Sequence, residues 1–234
     1  MIIYTNGCSH TAGHCMKRNK TWPNIVMRSI IGNQTYSNNT NSSSIKPNGN
    51  VLYNQAMHGA GNDYIFHRSL ETISSLIDTG NKPDYVFIQW SGPNRRMHSD
   101  VDGGFVFVNP HDNTELGVLF EPMGSEHTLH YMFAMQEILK VNNIQYFFFN
   151  YMGLDKLIKK SSVYPKLDLD RILNFDSNIT IFDGLIDFFK ENNMNCDEGG
   201  HPNEMGNYFI GKHIINKIGY DCIEYSEFYN PIYI

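Results

Sequence analysis

The sequence predicts an α/β protein, a three-layer α/β/α sandwich around a five-stranded parallel sheet. Two observations carry this. Short β-prone apolar runs alternate with helix-like stretches along the chain, and the central runs are apolar without interruption, as in Tyr85-Val86-Phe87-Ile88 and Tyr146-Phe147-Phe148-Phe149. Alternating elements of this kind read as parallel strands with crossovers, and unbroken apolar strands are those covered by helices on both faces.

In chain order, the expected strands are 2–5, 51–54, Tyr85–Trp90, 144–150 and 179–182. The expected helices are Trp22–Ile31, 63–77, 126–141, 184–191 and Glu204–Ile218. Asn62 reads as the cap of the second helix, Ser125 as the opening of the third, and Pro202-Asn203 as the lead into the last. In that last helix Met205, Tyr208, Phe209, Ile215 and Ile218 mark the face expected to dock on the sheet. The polar run Asn38 to Ser44 reads as an exposed loop. One stretch breaks the rhythm. Residues 101–122, with Gly103-Gly104, the alternation Phe105-Val106-Phe107-Val108 and a second run at Leu116 to Phe120, predict a β-hairpin or flap inserted after the third strand, turning near 109–113. The aromatic tail is expected to pack on its own domain.

A chain of 234 residues with 41% hydrophobic content suits one core, so a single domain over residues 1–234 is expected, with the insertion at about 101–122. The net charge of -6, without a basic run, argues against nucleic acid or an anionic membrane as partner. Four cysteines without CxxC pairing point to a reduced compartment. No stretch is apolar enough to span a bilayer and no signal peptide is apparent, so a soluble, cytoplasmic protein is expected.

In an open parallel sheet, ligands bind beyond the carboxyl ends of the strands. Four polar segments fall there: Gly7-Cys8-Ser9 through Gly13 after the first strand, Asn54 through Asn62 after the second, Gly92-Pro93-Asn94 after the third, and Glu198-Gly199-Gly200-His201-Pro202 before the last helix. A serine hydroxyl needs a general base, and the base needs a carboxylate behind it. Ser9 is therefore read as nucleophile and His201 as base. Glu198 is read as the orienting acid, with the adjacent Asp197 taking that role if the loop shifts by one residue. The backbone N–H groups of Ser9 and Gly59 and the side-chain amide of Asn94 are the expected oxyanion donors. His10, His58, Asn62, Trp90 and Arg95 lie near enough in sequence to line a substrate pocket; Asn62 could instead cap its helix and Trp90 finish a buried strand. His10, His14, Cys8 and Cys15 cluster in sequence, but no further cluster completes a metal site, and no metal or cofactor is expected.

These four blocks resemble those of the SGNH hydrolases of the GDSL esterase/lipase superfamily. Its GDSxxxG, glycine, GxND and DxxH segments correspond to Gly7 through Gly13, Gly59, Gly92 through Arg95, and Glu198 through His201; Trp22-Pro23 resembles a subgroup encoded by phages and bacteria. Cys8, Arg95 and Glu198 stand where the family has aspartates. The resemblance implies a flavodoxin-like sheet and a serine esterase working through an acyl-serine without a cofactor. Its preferred substrate would be an O-acetyl group on a carbohydrate. An acyltransferase and a non-catalytic glycan-binding or structural module stand as alternatives on the same scaffold.

Overall fold

The computed structural model describes residues 1–32, 34–39, 49–99, 105–108, 114–175 and 183–229. The chain lays down β1 (Ile2–Asn6), α1 (Ser9–Ala12), α2 (Trp22–Ile31), β2 (Tyr36–Asn39), β3 (Asn50–Asn54), α3 (Asn62–Asp78), β4 (Tyr85–Trp90), β5 (Arg96–Ser99), β6 (Phe105–Val108), α4 (Thr114–Val141), β7 (Gln145–Asn150), α5 (Ile186–Glu191), α6 (Glu204–Ile218) and α7 (Tyr225–Tyr229). Among the described residues, five strands form one sheet in the order β2-β3-β1-β4-β7. Every pairing in it is parallel. Helices cover both faces, giving the three-layer α/β/α sandwich, and no helix among the described residues is long and apolar enough to cross a membrane.

The strand residues divide between two cores with the period of two that a pleated strand imposes. Ile3, Phe87, Phe147 and Phe149 join Trp22 and Val26 of α2 and Ile210 and Ile214 of α6. Tyr4, Val86, Ile88 and Phe148 join Ile65 and Ile73 of α3 and Leu129, Met132 and Leu139 of α4. Each such buried side chain contributes on the order of 2 kcal/mol. Because both faces are apolar, register is fixed on both sides at once. Phe228 and Tyr229 of the tail bury themselves against Ile25 of α2, as expected of a tail that packs on its own domain.

The structure corrects the sequence reading at several elements. Asn38 and Asn39 do not begin a loop; they end β2, which pairs with β3 from Tyr36↔Asn50 to Asn39↔Tyr53. An edge strand needs only backbone partners, and Asn24 of α2 accepts from both Tyr36 Oη and Asn38 Nδ2. The expected strand 179–182 and the expected turn 109–113 lie outside the described residues.

The hairpin follows β4, but its strands are β5 and β6, paired antiparallel from Arg96↔Val108 to Ser99↔Phe105. The run Phe105–Val108 thus finds its partner upstream, in Arg96–Ser99. Leu116 to Phe120 belongs to α4, which starts at Thr114 and runs through both Ser125 and Pro122. Leu116, Leu119 and Phe120 fit a helical spacing as well as a strand, an ambiguity inherent in short apolar runs.

Helix α3 is capped by Gly61, not Asn62. In α6, Asn203 is the N-cap and accepts from Gly206 N. The buried face of α6 is Gly206, Asn207, Ile210, Gly211, Ile214 and Ile215, whereas Met205 is exposed. Two glycines and an asparagine hid this stripe: Gly211 lets the helix approach so closely that an added Cβ would stand 2.7 Å from Ile25 Cγ2. Asn207 is fully buried. It accepts from Trp22 N at 3.0 Å and donates to Pro202 O at 3.0 Å, tying α6 to the start of α2 and to the loop before itself.

Replacing Asn207 by Ala leaves that N–H and carbonyl unpaired in the core. We expect Asn207→Ala to lower stability by about 2–4 kcal/mol, read as a reduced urea midpoint with an unchanged denaturant slope.

Candidate functional site

Ser9 opens α1 directly after β1, where the chain must turn off the sheet. Cys8 O accepts from Thr11 N and Ala12 N, and Gly13 closes the short helix in a left-handed conformation. Gly7 is required by close packing: a Cβ there would stand 2.4 Å from Thr11 Oγ1 and 2.8 Å from Gln89 Oε1. That Gln89 oxygen, buried on β4, accepts from Cys8 N at 3.4 Å and Thr11 Oγ1 at 2.9 Å, locking the loop to the neighbouring strand.

The histidine and its acid come from a closed turn. Cys196 N donates to His201 O at 2.8 Å, Gly200 N to Asp197 O at 3.1 Å, and Asn203 N to Met194 O at 2.9 Å. His201 Nε2 is 2.8 Å from Ser9 Oγ, and His201 Nδ1 is 2.7 Å from Asp197 Oδ2. Asp197 Oδ1 also accepts from His201 N at 3.0 Å. The carboxylate on the imidazole is thus that of Asp197. Glu198, favoured by motif spacing, is exposed. The reason is the extra residue accommodated by Gly200 at φ 78°. Gly199 lets ring and carboxylate meet, since a Cβ there would lie 3.2 Å from His201 Nδ1 and 3.3 Å from Asp197 Oδ1.

Three contacts stitch the remaining loops to this pair. Met57 N donates to Gly7 O at 3.1 Å, joining the loop that carries Gly59 to the Ser9 loop. Asn62 is buried; it accepts from Ser91 N at 2.7 Å and donates to Ser91 O at 3.1 Å and Thr128 Oγ1 at 2.9 Å. It therefore fixes the loop that carries Asn94 to both α3 and α4. Gly61 lies against Arg95 O and Gly124 against Asn94 Oδ1, contacts that leave no room for a Cβ. Gly59 sits at φ 77°. Ser9 N belongs to the first turn of α1, where N–H groups have no intrahelical acceptor.

Several residues expected to face substrate do not. His10 is 1% exposed, Trp90 0% and Asn62 2%. Trp90 belongs to the core and Asn62 is the cross-link just described. The His10 ring is stacked on Tyr151 at 3.6 Å and on His201 at 4.5 Å, with Cys8 Sγ 2.9 Å from its Nδ1. His58 is exposed and Arg95 half-buried, with Arg95 Nη1 3.3 Å from Ser91 Oγ.

The sequence reading missed Gln89, Tyr151 and the role of His14. Tyr151 Oη donates to Gly200 O, beneath the turn that presents His201. The His14 ring lies 4.3 Å from that of His201, tilted by 42°. A glutamine inside an apolar strand was the one available signal, because a buried polar side chain there must have partners.

Electrostatics favour a neutral base. Burial and then the neighbouring His10 hold His201 below its ordinary value against the pull of Asp197. Burial alone would raise Asp197, but the hydrogen bonds from His201 outweigh it and keep the carboxylate ionised. His10 is held far below the usual imidazole range by burial first and the Arg95 charge second. A hydroxyl bonded to a neutral imidazole that is backed by a carboxylate is an arrangement able to activate the oxygen as a nucleophile. A cavity of about 330 Å³ borders α1 at Ala12 and is lined by Arg18, Asn54, Gln55, His58, Tyr64 and Arg68, among others.

No protein-family model and no curated protein matches the chain. Solved structures match it in fold. A protein assigned to the G-D-S-L lipolytic family from Desulfitobacterium hafniense DCB-2 superposes with a TM-score of 0.52 at 15% identity, covering 92% of this chain and 98% of that one. The psychrotrophic esterase EstA from Pseudoalteromonas sp., in a structure inhibited by monoethylphosphonate, gives 0.53 at 13% identity, covering 93% and 96%. TesA gives 0.53 at 10% identity, covering 94% and 98%. The chain shares the fold of these proteins along nearly its whole length.

The turn geometry separates the two candidate acids. Asp197→Asn is expected to lower kcat by about 10³–10⁴-fold, while Glu198→Gln leaves it within a factor of about two, both measured on an aryl acetate. Because a base must be unprotonated and His201 is held below 6.5, the acid limb of kcat/KM is expected below pH 6.5, the rate falling only as pH drops through that lowered value.

Proposed function

We propose that the protein is a serine esterase, with Ser9 as nucleophile, His201 as general base and acid, and Asp197 as the residue that orients and charges the imidazole. The observation that carries this reading is the 2.8 Å contact between Ser9 Oγ and His201 Nε2, with Asp197 bonded behind the ring. Ser9 Oγ attacks the ester carbonyl as His201 Nε2 takes its proton. The oxyanion is met by Ser9 N, Gly59 N and Asn94 Nδ2, donors aimed at charge that develops only in the transition state. His201 returns the proton to the departing alcohol, leaving an acyl-Ser9. Water, deprotonated by His201, then attacks the acyl carbon, and as its bond to Ser9 Oγ breaks the proton passes from His201 to Oγ and the acid leaves.

The substrate we infer is an acyl ester, acetyl first, on a carbohydrate. The cavity beside the nucleophile helix supports this, for its amide, hydroxyl and guanidinium groups suit a polyhydroxylated alcohol better than a long acyl chain. Arg68 is held toward that space by Gln55 Oε1 at 3.0 Å and Glu71 Oε2 at 2.9 Å.

Labelling with a fluorescent alkyl phosphonate tests the chemistry. Wild-type protein should be modified on Ser9 and Ser9→Ala should not; equal labelling of the two would remove the nucleophile from Ser9. For the substrate, acetate release from O-acetylated oligosaccharides should exceed hydrolysis of a long-chain aryl ester, and the reverse order would discard the carbohydrate assignment.

A further inference from the structure

Four side chains able to bind a metal stand on the solvent side of the Asp197–His201 pair. His14 Nε2 is 3.5 Å from Asp197 Oδ2, and Cys15 Sγ is 3.9 Å from the same oxygen. One ligand atom from each of His14, Cys15 and Asp197 lies within 4.8 Å of the others. Cys196 adjoins Asp197 in the chain, and its Sγ faces His14 O at 3.9 Å. A tetrahedral zinc ion with bonds of about 2.0–2.3 Å holds its ligand atoms roughly 3.3–3.8 Å apart, so His14, Cys15 and Asp197 need only small adjustments to close on one, and Cys196 lies outside that trio as the fourth ligand to be drawn in. His14, Cys15 and Cys196 are exposed, which leaves an entry path. Cys15 sits at φ 64°, a backbone setting uncommon for a residue with a side chain.

We propose that His14, Cys15, Cys196 and Asp197 form a binding site for a thiophilic divalent cation of the zinc class, and that the bound ion withdraws Asp197 from His201. Two thiols and an imidazole select such an ion over magnesium or calcium. The competition is atomic: Asp197 Oδ2, the oxygen shared by His14 and Cys15, is the one 2.7 Å from His201 Nδ1. Binding forms two metal–thiolate bonds and releases the two thiol protons to solvent, with no change of oxidation state. The inhibitory consequence rests on the esterase reading; the binding does not.

Titration of the fully reduced, metal-free protein with Co²⁺ tests the site without reference to turnover. The result expected is the intense visible absorption of tetrahedral cobalt with a thiolate charge-transfer band, both abolished by added Zn²⁺ and both lost in Cys15→Ser and Cys196→Ser. Absorption without the charge-transfer band, or a spectrum unchanged in the double variant, overturns the site. On the aryl acetate, Zn²⁺ should then lower wild-type kcat on the order of 10³-fold, the loss expected when the imidazole forfeits its carboxylate. A chelator should restore it, and the two serine variants should resist it while keeping metal-free activity. Metal binding that leaves kcat unchanged overturns the inhibitory half alone. A wild type inactive even without metal defeats the esterase reading while the cobalt spectra still decide the site.

Discussion

Asp197 holds His201 at two points, the ring through Oδ2 and the backbone N–H through Oδ1. Both partners belong to one turn, closed from Cys196 N to His201 O. This double hold sets the direction of the imidazole before any long-range packing does, because a carboxylate bonded to both the main chain and the side chain of one residue leaves that side chain little freedom to rotate. Everything else about the site then reduces to bringing Ser9 to Nε2. The sheet does this by ending β1 where it does, and α6 does it by fixing Pro202 through Asn207.

The loops beyond the strand ends are not independent. Gln89 couples the nucleophile loop to β4, Met57 N couples the next loop to Gly7, and Asn62 couples the loop after β4 to two helices. Each link is a buried polar contact, costly to leave unmade. Together they make the three loop segments one unit, the preorganisation that the proposed oxyanion stabilisation would demand. The glycines at 7, 61 and 124 belong to the same design, for each permits a contact that a Cβ would prevent.

How much of this was legible in the sequence depended on what each segment uses for stability. Strands buried on both faces announce themselves through unbroken apolar runs, and Tyr85–Trp90 and 145–150 were placed nearly to the residue. Strand β2 did not, since an edge strand of polar residues is held by backbone pairing. The docking face of α6 was hidden because close approach uses Gly206 and Gly211, which carry no hydropathy signal. The segments bearing Ser9, Asn94 and His201 were legible as polar interruptions at strand ends. The choice between Asp197 and Glu198 was not, because two adjacent glycines leave the loop's path open until Gly200 adopts its left-handed conformation.

His10 gives the site one more property. Its ring stacks on both Tyr151 and His201, and burial keeps it uncharged. Its presence in turn disfavours a charge on His201. Buried and uncharged, the His10 ring is a spacer against His201, so in the proposed esterase the proton taken from Ser9 rests on His201. Under that proposal the imidazole that receives it is held in place from below by a ring that does not compete for it.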